Sequence, residues 1–262
     1  MKKKNCYLLL LLFCYVIPTL QAQSDKKVNL NIVYIGNSIT QGAIIKEPQR
    51  NAPPVKACEW LQNQSGIGKV EFSNQGRSGN TTVDFLPAAA TYFPKVKAAA
   101  DLFKGDKDAI LLFSIMLGTN DSAEKGPNGS PVSPVQYYTN VKVIVDELLR
   151  MYPEAKVVLH YPLWYSPNTY NSATYLKAGL KRLESYMPQI DALVEAYKET
   201  VPGNVFKGDT EGFEYFRINY EKEFFPENGN AGTFYLHPNE TGTAHLGEFW
   251  GKAIYRVITS DN

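Results

Sequence analysis

Residues 29–40 read NLNIVYIGNSIT, a nearly unbroken apolar run from Leu30 to Ile35 that stops abruptly at Gly36, Asn37 and Ser38. A strand that is apolar throughout, rather than alternating, is one covered on both faces. Four more short apolar runs follow: KVEFSN at 69–74, AILLFSIML at 109–117, KVVLHY at 156–161 and NVFKG at 204–208. The segments between them, about 52–64, 82–103, 134–151 and 174–200, are long enough for crossover helices. After Pro238, Leu246, Phe249, Trp250, Ala253 and Ile254 recur at helical spacing and predict a last helix. Together these segments predict an α/β chain: a three-layer α/β/α sandwich around a five-stranded parallel sheet.

Residues 1–22 read differently. Lys2, Lys3 and Lys4 precede an apolar run from Tyr7 to Leu20, and polar QAQSDKK follows, the order of a secretory signal peptide. The run is shorter than the roughly 20 residues of a spanning helix and contains Pro18. The expectation is therefore a signal peptide over 1–22, a single domain over 23–262, export to the periplasm or the medium, and no stable membrane insertion. Lipid attachment at Cys14 is the competing reading, although Phe13 stands where such a signal wants a small residue. Removing residues 1–22 leaves 24 basic and 26 acidic residues, a balance that gives no footprint for nucleic acid. Cys58 is then the one remaining cysteine, so no intrachain disulfide is expected. Three scattered histidines and no HExxH motif predict neither metal nor cofactor.

Ser38 stands where the first strand meets the next helix, a position that borders the ligand crevice of a parallel sheet. A serine there can cap the helix, or act as a nucleophile if a base lies within hydrogen-bond reach. Three further segments mark strand ends or helix starts: NQGRSGNTT at 74–82, LGTND at 117–121 and LHPNETG at 236–242. All can converge on one crevice. No GxSxG elbow is present, which disfavours the other common esterase fold.

These four blocks, in this order across residues 33 to about 246, resemble the SGNH hydrolase superfamily, also called GDSL-like lipases and acylhydrolases. The resemblance implies a flavodoxin-like fold, Ser38 as nucleophile and His237 as base. It also implies an oxyanion hole made by the backbone N–H of Ser38, that of Gly79 and the side-chain amide of Asn120. It implies a serine esterase; with the signal peptide the expectation is an exported enzyme acting on small acyl groups, and fold analogy together with the aromatic loops makes O-acetyl esters on carbohydrate the preferred substrate class. A lipase or lysophospholipase, or a catalytically dead glycan-binding module, are the alternatives.

One position departs from the family pattern. Three residues before the histidine, where an aspartate usually orients the ring, stands Phe234. Either another acid substitutes, with Asp209, Glu211, Glu214, Glu223 and Glu227 all in the preceding segment, or a backbone carbonyl holds the ring, or the site is dead. Loss of the orienting acid can cost about 10⁴-fold in a triad enzyme, so the difference matters. The segments 161–171 and 209–235 are expected to wall the substrate site, with His160 and Trp164 as possible substrate contacts, and Asp121 reads as a cap or loop brace.

Overall fold

The structure is a computed structural model that describes residues 27–260; the expected signal segment lies outside the described residues. Five parallel strands, β1 (Val28–Gly36), β2 (Ile67–Gly76), β3 (Ala109–Met116), β4 (Lys156–Leu159) and β5 (Val205–Lys207), form one sheet in the order β2-β1-β3-β4-β5. The helices are α1 (Ser38–Gln41), α2 (Pro48–Asn51), α3 (Pro53–Gln62), α4 (Phe93–Phe103), α5 (Pro134–Met151), α6 (Leu176–Glu184), α7 (Met187–Thr200), α8 (Gly212–Glu223) and α9 (Glu240–Thr259). The sheet and its two helical layers are those the apolar runs predict.

The unbroken apolar character of β1 has a direct structural counterpart. Leu30, Ile32 and Tyr34 pack with Ala57 and Leu61 of α3 and Leu246 and Trp250 of α9. Val33 and Ile35 face the opposite layer, with Val96 of α4, Ile144 of α5 and Ile190 of α7. Burying one such side chain contributes about 1.5–3 kcal/mol, so two full layers supply the core without any cross-link. Trp250 stacks on Tyr34 with ring centroids 5.8 Å apart, locking α9 to β1. Among the described residues, no helix is long and apolar enough to cross a membrane.

The segment 209–235 holds more regular structure than the sequence suggests. It forms α8 and then an antiparallel hairpin, β6 (Phe224–Gly229) and β7 (Gly232–Pro238), separate from the main sheet. His237 therefore lies in a strand, one residue before its end at Pro238, rather than opening a helix, and it is Asn239 that caps α9, accepting from the Gly242 N–H at 3.0 Å.

Candidate active site

At the carboxyl end of β1, the side chain of Asn37 accepts a hydrogen bond from the Ile39 N–H at 3.0 Å and so caps α1. Capping is thereby taken by the neighbour, and the Ser38 hydroxyl is left for other use. Ser38 Oγ lies 2.9 Å from His237 Nε2. On the far side of the ring, His237 Nδ1 is 2.9 and 3.0 Å from the two carboxylate oxygens of Glu227, which also accepts from the His237 backbone N–H at 3.2 Å. With Glu227 accepting, Nδ1 carries the proton and Nε2 presents its lone pair to the serine hydroxyl.

Glu227 makes the contact with the ring that Phe234 cannot make. The two residues are cross-strand partners in the β6–β7 hairpin, and Phe234 itself is buried in the core. The other four candidate acids are engaged elsewhere or exposed. Asp209 accepts from the Glu211 and Gly212 N–H groups at the start of α8. Glu214 pairs with Arg217, Glu223 with His245, and Glu211 faces solvent. Which acid reaches the histidine could not be read from the sequence, because it depends on hairpin register.

Three hydrogen-bond donors gather near Ser38. Its own N–H lies at the first position of α1, where no intrahelical partner exists. Gly79 follows β2 with φ of +81°, a left-handed conformation that suits glycine and brings its backbone to the cavity wall. Asn120 follows β3 and gives one amide hydrogen to the Asn80 carbonyl at 2.8 Å. Asp121 is the loop brace: buried, it accepts from the Thr82 N–H at 2.9 Å and from the Thr82 hydroxyl, which ties the Gly79 and Asn120 loops together.

Ser38, Gly79, Asn120 and His237 line one cavity of about 700 Å³. The 161–171 expectation is met only at its end, since Asn171 lines this cavity together with Ser172 and Tyr175 just beyond it. His160 and Trp164 are placed away from it, contrary to expectation. His160 is fully buried beneath the strand ends, accepting from the Asp209 N–H at Nδ1 and lying 2.9 Å from Ser114 Oγ through Nε2. Burial, and then the charge of Arg256, push its pKa down to about 3, which suits a neutral packing residue. Trp164 is buried against Tyr220 and Phe224. Among the described residues, no three His, Cys, Asp or Glu side chains cluster as metal ligands.

Residues 34–245 match the GDSL-like lipase/acylhydrolase family. The chain belongs to that family. This GDSL-like chain is accordingly a serine esterase. No curated protein sequence matches it. Among solved structures, its fold is similar to that of a carbohydrate acetylesterase from Sinorhizobium meliloti, with a TM-score of 0.59 and 17% identity over 87% of this chain and 99% of that one. It is similar to the aryl esterase of M. smegmatis, with a TM-score of 0.58 and 17% identity over 87% and 99% of the two chains. A mutant of an acetylxylan esterase from Geobacillus stearothermophilus superposes with a TM-score of 0.56 at 17% identity, over 90% and 96%.

Proposed function

We propose that this GDSL-like esterase is an exported enzyme that removes small acyl groups, O-acetyl above all, from carbohydrate. The observation that carries the mechanism is the continuous chain Ser38 Oγ, His237 Nε2, His237 Nδ1, Glu227. Ser38 attacks the ester carbonyl while His237 takes its proton, and the tetrahedral oxygen is met by the N–H groups of Ser38, Gly79 and Asn120. His237 then returns the proton to the departing alcohol, and water repeats the sequence to release the acid. Glu227 orients the imidazole and stabilises its charged form.

The cavity supports a polyhydroxylated leaving group. Its wall is built largely from small polar residues, including Ser78, Asn80, Asp84, Asn128, Asn171 and Ser172, which suit sugar hydroxyls better than an acyl chain. The likeness to acetylesterases of carbohydrate and xylan adds support for the same class. Export rests on the order of lysines and apolar residues in 2–20.

The test compares 4-nitrophenyl acetate with the decanoate, then acetylated xylo- and manno-oligosaccharides, beside Ser38→Ala and His237→Ala. Turnover of acetyl esters that collapses in both variants is expected. Preference for decanoate, or turnover surviving Ser38→Ala, would overturn the reading.

A further inference from the structure

The Asn120 amide is tethered at both ends. Its Nδ2 gives one hydrogen to the Asn80 carbonyl, and its Oδ1 lies 2.7 Å from the hydroxyl of Tyr175, which donates to it. A carbonyl can only accept, so the Asn80 contact fixes which end of the amide is nitrogen, and the Tyr175 hydroxyl must then be the donor. One Nδ2 hydrogen remains, on a side chain that lines the cavity with Ser38 and Gly79. Donation into the amide oxygen polarises the group and strengthens that remaining N–H as a donor.

We infer that Tyr175 is a positioning residue of the oxyanion hole, holding and polarising the Asn120 amide so that its free N–H meets the charge developing on the carbonyl oxygen. This rests on the esterase reading of the site. Two further observations support it. Tyr175 is buried, and burial together with the nearby charges of Asp121 and Glu227 raises its pKa, so the phenol stays protonated and a donor. The residue after it, Leu176, has φ of +54°, a left-handed conformation rare for a branched side chain. Strain of that kind persists where the surroundings over-determine the backbone, and here it lies directly beside the tyrosine that meets Asn120.

The segment is also braced from outside. Ser166 donates its N–H to the Tyr235 carbonyl at 2.9 Å, and the Asn230 N–H reaches the Tyr170 carbonyl at 2.7 Å. The loop that delivers Tyr175 is thus fastened to the hairpin that delivers Glu227 and His237.

The experiment measures two quantities for wild type, Tyr175→Phe, Asn120→Ala and the double variant: kcat and KM on 4-nitrophenyl acetate, and the rate at which diethyl 4-nitrophenyl phosphate labels Ser38, followed by intact mass. In labelling, the Ser38 Oγ–P bond forms, the P–O bond to 4-nitrophenolate breaks and the hydroxyl proton passes to His237. Deleting an oxyanion donor costs about 10²–10³-fold in rate; releasing one from its tether should cost less. For Tyr175→Phe, kcat and labelling are each expected to fall about tenfold with KM little changed, and the same substitution should have no effect on Asn120→Ala. A Tyr175→Phe enzyme within twofold of wild type, or an equal loss in the Asn120→Ala background, overturns the inference while leaving the esterase standing. A wild type that neither turns over ester nor takes up the label would overturn the esterase reading and the inference with it.

Discussion

Glu227 and Phe234 are paired across the β6–β7 hairpin, and it is the glutamate that reaches His237 Nδ1 at 2.9 Å. The carboxylate stands on the neighbouring strand, and the position three residues before the histidine is part of the core. Glu227→Gln should therefore behave as loss of a triad acid, lowering kcat by about 10³–10⁴-fold while the melting temperature changes little. Kinetics on an acetyl ester beside thermal melting checks this; a loss under tenfold would mean that a Ser38–His237 dyad suffices.

Phe234 should matter for stability. It is about 1% exposed within the core cluster that includes Leu236, Tyr165 and Tyr175. Phe234→Ala is expected to cost about 3–5 kcal/mol, the range for emptying a buried aromatic site. Urea denaturation measures it, and a cost below about 1 kcal/mol would show that the hairpin closes over the gap.

Two glycines that flank one turn should fail in different ways. A Cβ on Gly76 would stand 2.4 Å from the Gln41 backbone nitrogen and 2.7 Å from the Thr40 carbonyl carbon, so Gly76→Ala must push α1, and Ser38 with it, off the strand end. Loss of both stability and activity is expected. At Gly79 there is open space for a Cβ, but φ is +81°. Gly79→Ala should melt within a few degrees of wild type yet lose about tenfold or more in kcat, because the backbone relaxes and carries its N–H away. Equal melting temperatures for the two variants would contradict this.

Two buried groups give opposite pH dependences of stability. His160, held near 3 by burial, is neutral in the folded chain where the unfolded chain would be protonated, so its contribution is present above about pH 6.5 and is lost as pH falls toward 3. Asp121 is pushed up to about 6 by burial, so its contribution is present below about pH 3.9 and is lost as pH rises through 6, a difference of about 3 kcal/mol. Between about pH 4 and 6 the two offset. Asp121→Asn should therefore steepen the loss of stability on acidification, and His160→Gln should yield a protein that weakens from pH 4 to 6. Denaturation midpoints at pH 4, 5, 6 and 7 decide it; variant curves parallel to wild type would show that neither group titrates where stated.

The sheet was legible because strands covered on both faces leave a signal that needs no partner to interpret, and the family blocks sit at strand ends that the apolar runs already mark. Ser38, Gly79, Asn120 and His237 come together for that reason. The positions that were misread depend on pairing or on facing. His160 directly follows the last residue of β4, but its ring turns under the strand ends to meet Ser114 and the Asp209 N–H. Trp164 follows the same strand and is drawn into the α8 side of the core. Glu227 and Tyr175 are invisible to spacing rules, since one depends on hairpin register and the other on a loop that returns to Asn120 across 55 residues.

Base and acid sit ten residues apart on strands joined by the two-residue turn Asn230–Ala231. The pair thus forms a local unit, held by one short hairpin and separated from the nucleophile by 199 residues of chain. Within such a hairpin the ring requires a carboxylate at one height along the axis, and here β6 supplies it opposite Phe234 of β7. Chains set aside as pseudoenzymes for want of an acid before the histidine are therefore worth rereading one strand upstream.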